Sequence, residues 1–224
     1  MKFAIPLSIL PMDEIKPLGI AADEIGYDFL AVSDHLIHPE TFSVPYPYTD
    51  DGSVRWEQGT DWPDPVSTLS FLAGATKNIR FYTSVYVLPA RNPLRVAKEL
   101  STHDVVSNCR FDLGVGMGWM QEEFDVLNVP FEGRISKTIE YIQILKSLWN
   151  TDPSNIDGEY FSYNNVSYQP KPIQKELPVF MGGNHEKAIE RSIDFADGWQ
   201  PIWFSSDELE IKLKYFQGKP VINN

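Results

Sequence analysis

The chain has 224 residues, 42% hydrophobic and 22% charged, with a formal net charge of -12 and a pI near 4.7. That acidity argues against nucleic acid and anionic membrane as partners, because both are recognised by a basic surface. No apolar run reaches the roughly 18 residues of a membrane span, and a single cysteine, Cys109, excludes an intramolecular disulfide and a multi-thiolate metal site.

In chain order, residues 2–9 (KFAIPLSI) read as a first strand rather than a signal peptide, since one lysine precedes a short apolar run with no small-residue cleavage site. The expected compartment is therefore the cytoplasm. From Asp13 to Ile25, Ile15, Leu18, Ala22 and Ile25 recur at helical spacing, and Gly26 stops the helix. Residues 28–33 (DFLAVS) are a nearly all-apolar strand of the buried parallel kind. Residues 34–62, rich in Pro, Tyr, Asp and Gly, predict a long loop. A helix follows over Asp64 to Thr76, and 79–87 (IRFYTSVYV) reads as one unbroken third strand. Pro93 opens a helix to Ser107 with Leu94, Ala97 and Leu100 inward, and a glycine-bearing strand comes next. Residues 134–149 place Ile135, Ile139, Ile142, Leu145 and Leu148 on one helical face. A hairpin is expected over 158–172, then a strand at 178–183, a helix at 185–196, a strand at 198–203 and a helix from Ser206 to Phe216.

Six strand–helix units in succession predict a parallel sheet with helices outside. Doubly wound sheets and (β/α)8 barrels share that pattern. In FDLGVGMGW, Gly114, Gly116 and Gly118 give G-x-G-x-G, and Trp119 stands where a dinucleotide fingerprint needs its last glycine. The fingerprint fails, which favours the TIM-type barrel, whose sites lie on the C-terminal rim. Such a barrel takes about 250 residues and eight units. The chain is thus expected to be one barrel domain over 1–224, short by two units at its C-terminal end.

Four candidate clusters fall at strand ends. Ser33-Asp34-His35 sets an acid beside a histidine, a proton carrier if exposed and a turn cap with a packed ring if not. Ser84-Val85, followed by Arg91, reads as a ligand-facing strand end or an ordinary strand with a surface arginine. The glycines at 114, 116 and 118 share one face of an extended chain, where a ligand or another backbone comes close. Gly182-Gly183, with Asn184 as helix N-cap, forms an anion seat or a steric necessity. Trp56, Trp62, Trp119, Trp199 and Trp203 on loops and strand ends suit a planar conjugated ligand. His35, His38, His103 and His185 have no metal-ligand spacing, so no metal is expected.

Taken together, SDHLIHPE, YPYTDDG, the block from DPVSTLSFLAGATKNIRFYTSVYVLPARNPLRVAKEL to GVGMGWMQEEF, and PVFMGG…ADGWQPIW resemble the bacterial luciferase-like flavin and deazaflavin oxidoreductases. The SDH, LP-R-P and GVG-GW elements are most similar to the branch dependent on coenzyme F420. The resemblance covers the chain to about residue 204 and implies a flat tricyclic ring at the rim, F420 or alternatively FMN. It implies that this ring lies against a bulge in the third strand, with a cis peptide at Ser84-Val85 behind the ring. His35 is then the proton carrier, and Asp34 orients it or binds the cofactor. Gly116, Gly118 and Trp119 line the rim, and Gly182, Gly183 and Asn184 seat the phosphate arm, with Arg91 or Lys98 countering the acidic mean field. Two departures stand out. Trp119 occupies the position of a glutamate in F420-dependent sugar-phosphate dehydrogenases, and SNCR replaces the usual Gly-Gly-Arg before the fourth strand.

The expected activity is hydride transfer between F420 and a small organic substrate. The alternatives are an FMN-dependent monooxygenase served by a separate flavin reductase, and a shortened, non-catalytic flavin-binding or interaction protein. A homodimer is expected by the same resemblance.

Overall fold

The computed structural model describes residues 2–218. Its elements are β1 (Ala4–Pro6), α1 (Met12–Ile25), β2 (Phe29–Val32), α2 (Pro65–Ala75), β3 (Arg80–Thr83) and β4 (Tyr86–Val87). A 3-10 turn (Leu88–Ala90) leads to α3 (Pro93–Ser107), β5 (Phe111–Gly116), α4 (Gln121–Val126) and α5 (Arg134–Asn150). A hairpin of β6 (Ser154–Asp157) and β7 (Ser162–Val166) precedes β8 (Val179–Gly182), α6 (Glu186–Phe195), β9 (Gly198–Gln200) and α7 (Ser206–Gln217).

The helix ends follow local chemistry. The Asp64 carboxylate accepts the Ser67 amide at 2.8 Å and Pro65 opens α2. Asn92 caps α3 by accepting the amides of Leu94 and Arg95, and α1 stops at Gly26, whose φ of 94° suits glycine.

The main sheet is parallel throughout, in the order β1-β2-β3-β5-β8-β9, with β4 continuing along β5 beyond β3. It is curled into a half-barrel with helices outside, the expected barrel type in part. Leu30, Val32, Phe81, Phe111, Leu113, Val115, Val179 and Met181 form one core with side chains of α1, α2, α3 and α5. Alternate residues occupy the concave side. Register aligns Phe29 with Arg80, Tyr82 with Asp112, Gly114 with Phe180, and Gly182 with Gln200. There Arg80 pairs with Asp112, and the Phe29 and Tyr82 rings meet edge to face at 5.7 Å.

Several expectations need correction. β1 is three residues rather than eight, and Pro6 ends it at the sheet edge, where a missing N–H is tolerated. The third strand is two. From Tyr82 to Tyr86 the chain is one residue longer than from Asp112 to Val115 on β5, so a bulge separates β3 from β4. This bulge, and the cis Ser84-Val85 peptide inside it, are those the resemblance implies. The hairpin begins at Ser154, four residues earlier than expected. α4 was not foreseen, because six residues containing three acids carry no periodic signal. Ile135 faces solvent, whereas Ile142, Leu145 and Leu148 of α5 pack as expected, joined by Tyr141, Ile144 and Trp149. Among the described residues, no helix is long and apolar enough to cross a membrane.

Candidate active site

The C-terminal ends of β2, β3, β5, β8 and β9 point to one rim, which brings the four sequence clusters together. Asp34 and His35 are adjacent, yet they have different partners. Asp34 is 4% exposed. Its carboxylate receives Arg91 through both guanidinium nitrogens, at 2.7 and 2.8 Å, and the Val87 amide at 2.8 Å. Burial pushes the Asp34 carboxyl above its usual range, and Arg91 beside it pulls back. Arg91 also lies over the Tyr86 ring at 4.3 Å. The expectation of a surface Arg91 available to an anionic cofactor is thereby corrected. Its charge is spent on tying the strand-three bulge to the end of β2. Lys98 is likewise engaged, donating to the Gln169 carbonyl and lying over Tyr168.

The acid beside His35 is Glu123 of α4, a residue the sequence did not single out. Its Oε1 lies 3.1 Å from His35 Nδ1 and accepts the Leu36 amide at 2.7 Å. Around the imidazole stand Trp62, Trp56 and Trp119, with ring centroids at 4.8, 5.4 and 6.1 Å. Tyr46 and Phe42 extend this cluster against Trp56 and Trp119. Burial pushes the Tyr46 hydroxyl up to about 12, so the wall stays neutral. Residues 34–62 therefore fold over the rim. Trp62 Nε1 donates to the Ser33 carbonyl, and Glu122 accepts the Ser43 amide. A dense set of aromatics in a loop that follows an S-D-H strand end was the available signal. Glu123 gave none, since MQEEF resembles a solvated acidic turn.

The glycines mark points of close approach, as expected, and what approaches is protein. A Cβ on Gly114 would lie 2.0 Å from the Thr83 carbonyl oxygen, one on Gly116 2.3 Å from Val85, and one on Gly118 2.5 Å from the Phe124 ring. They are needed because the bulge and α4 pack directly against β5. Thr83, Val85 and Phe124 fill the space a side chain would take there. On the concave side, the Gln200 amide donates to Ser84 Oγ at 2.9 Å, while its buried Oε1 has no partner.

At the β8–α6 turn, Gly182 and Gly183 lie as expected, with Gly183 at φ 128°. Asn184 is not the N-cap. His185 caps α6 by accepting the Lys187 amide, while Asn184 bridges to Ile202, donating to its carbonyl at 2.7 Å and accepting its amide at 3.1 Å. The reason is the close approach of the segment after β9, which offers Asn184 a backbone pair.

The comparisons agree with this architecture. The model of the luciferase-like monooxygenase family matches residues 6–218. An uncharacterised protein of Mycobacterium tuberculosis is 29% identical over 210 residues, covering 94% of this chain and 72% of its own length. Among solved structures, an F420-dependent secondary alcohol dehydrogenase in complex with an F420–acetone adduct superposes with a TM-score of 0.79 at 21% identity, over 97% of this chain and 63% of that one. The oxygenating constituent of 3,6-diketocamphane monooxygenase from Pseudomonas putida, in complex with FMN, gives 0.77 at 16% identity, over 97% and 61%. This chain thus spans less than two thirds of either solved structure. By the family match over nearly its whole length, the chain belongs to the luciferase-like monooxygenase family.

Proposed function

We propose that the chain is an F420-dependent oxidoreductase acting on a small organic substrate. The observation that carries the reading is His35, set on a rim of aromatic rings and held by a buried carboxylate, in a half-barrel of this family. The residues fit a flat conjugated group. Trp62 and Trp119 offer apolar faces, and Gln200 Oε1, buried without a partner beside Ser84, is a polar atom awaiting a donor. Ser84 and Val85 would back the ring, Gly116, Gly118 and Trp119 would flank it, and the Gly182–Asn184 turn would seat its phosphate arm. Bound there, the deazaflavin would donate or accept a hydride. The chain's own residues then have three tasks. The aromatic loop excludes water, the Asp34–Arg91 pair fixes the bulge that carries Ser84, and His35 moves the proton that balances hydride transfer.

Similarity to the FMN-containing diketocamphane monooxygenase constituent supports a second reading, an FMN-dependent monooxygenase supplied with reduced flavin by a separate reductase. The two are separated by supplying each cofactor to the purified chain with a panel of small alcohols, aldehydes and ketones. In the first reading, His35→Ala lowers F420-dependent turnover by about 10²–10⁴-fold, the usual range for general acid–base catalysis, and leaves the cofactor Kd unchanged. Unaltered turnover in that variant would remove the proton role.

A further inference from the structure

Two carboxylates were available to His35, and the geometry assigns it the distant one. Asp34 is excluded because Arg91 and the Val87 amide occupy both of its oxygens. Glu123, 88 residues away in sequence, places Oε1 at 3.1 Å from His35 Nδ1, and the two side chains are only 3% and 13% exposed. The same oxygen accepts the Leu36 amide at 2.7 Å. An oxygen that already receives an N–H there is an acceptor, so the nitrogen facing it must also donate.

We infer that Glu123 is a positioning residue that locks His35 in the tautomer with the proton on Nδ1 and the lone pair on Nε2. A neutral imidazole carries one N–H, so fixing it at Nδ1 leaves Nε2 as the acceptor, on the side of the ring turned away from Glu123. Trp56, Trp62 and Trp119 surround that ring and leave Glu123 as its carboxylate partner. The lock gives the site a direction. Resting His35 takes a proton at Nε2 and returns it from there, while Nδ1 remains bonded to Glu123 throughout. Because Leu36 and His35 hang from one oxygen, Glu123 also sets where the aromatic loop leaves β2. The inference rests on the proposed oxidoreductase only for the use made of the proton; the tautomer belongs to the free protein.

The test is a long-range proton–nitrogen correlation spectrum of the ¹⁵N-labelled full chain, recorded over a series of pH values that extends into the mildly alkaline range. His35 is assigned by its disappearance in His35→Gln. The expected pattern has Nδ1 in the protonated, pyrrole-like range and Nε2 in the unprotonated, pyridine-like range. The reverse pattern overturns the inference. Glu123→Ala, which removes the acceptor, is expected to shift the His35 pattern towards a mixture of tautomers, and Glu122→Ala to leave it alone. A folded Glu123→Ala protein with an unchanged His35 pattern also overturns it. If that variant fails to fold, the wild-type spectrum decides. Failure to bind F420 or FMN in a separate titration would count against the proposed function and leave the tautomer result standing.

Discussion

Around β2, β3 and β5 the sheet is walled by α2 and α3, and Leu30, Val32, Phe81, Phe111 and Leu113 are wholly excluded from solvent. At the other end, β9 is half-buried along its length and α7 buries no residue completely. α7 is held by the Trp199–Phe216 stack at 6.3 Å, a Lys212–Glu186 pair and the Tyr215 hydroxyl on Glu190. The difference teaches where the site's rigidity comes from. Asp34, His35 and Ser84 hang from the dense wall, whereas Gly182, Asn184 and Gln200 sit on the thinner end. Regions with few buried apolar contacts open at lower free energy, so a ligand spanning both halves should stabilise the thin end most.

Ion pairs offer the sharpest contrast. Asp34→Ala strands a mostly buried Arg91 and an unpaired Val87 amide, and removing one partner of a buried pair costs about 3–5 kcal/mol. Glu186→Ala removes only the partner of a part-exposed Lys212, and such pairs contribute about 0–1 kcal/mol. Denaturant unfolding of both variants checks this, and comparable losses would break the contrast. Apolar truncation should follow the same order. Leu113→Ala empties a fully buried site, at about 2–5 kcal/mol, while Ile211→Ala on α7, 65% exposed, should stay within about 0.5 kcal/mol.

The wall also carries a pH signature. His103 of α3 bonds Ser70 at 2.8 Å and sits between the rings of Phe81 and Phe111. Burial, with Arg110 nearby, pushes it down to about 4. In the unfolded chain its value is about 6.5, so as pH falls the unfolded state takes up the proton first. The stability is complete above about 6.5 and is lost towards 4, by at most about 1.4 kcal/mol per pH unit. The difference in unfolding free energy between wild type and His103→Gln should therefore change across that window and be flat above it. A difference flat throughout would mean that the buried imidazole is not neutral in the fold.

The elements with strong period, α1, α2, α3 and α5, and the buried strands β2 and β5, were legible because local pattern and tertiary environment agree there. What escaped depended on distant partners. The bulge in IRFYTSVYV, which arises where β4 re-registers on β5, was legible only through the family resemblance and not through any local feature. Asp34 and His35 look like a tuned pair, yet the partners that separate them, Arg91 and Glu123, lie 57 and 88 residues along the chain. The three glycines were correctly read as points of close approach, but what approaches is Thr83, Val85 and Phe124. The cap at α6 moved one residue, to His185, because Ile202 claims Asn184.

The most direct test of the proposed chemistry is a pair of equilibrium titrations of the purified chain with F420 and with FMN, each followed by the cofactor's own fluorescence. The account predicts saturable F420 binding, tighter than FMN and accompanied by stabilisation against unfolding. Selective FMN binding would favour the monooxygenase reading, and binding of neither would contradict the account.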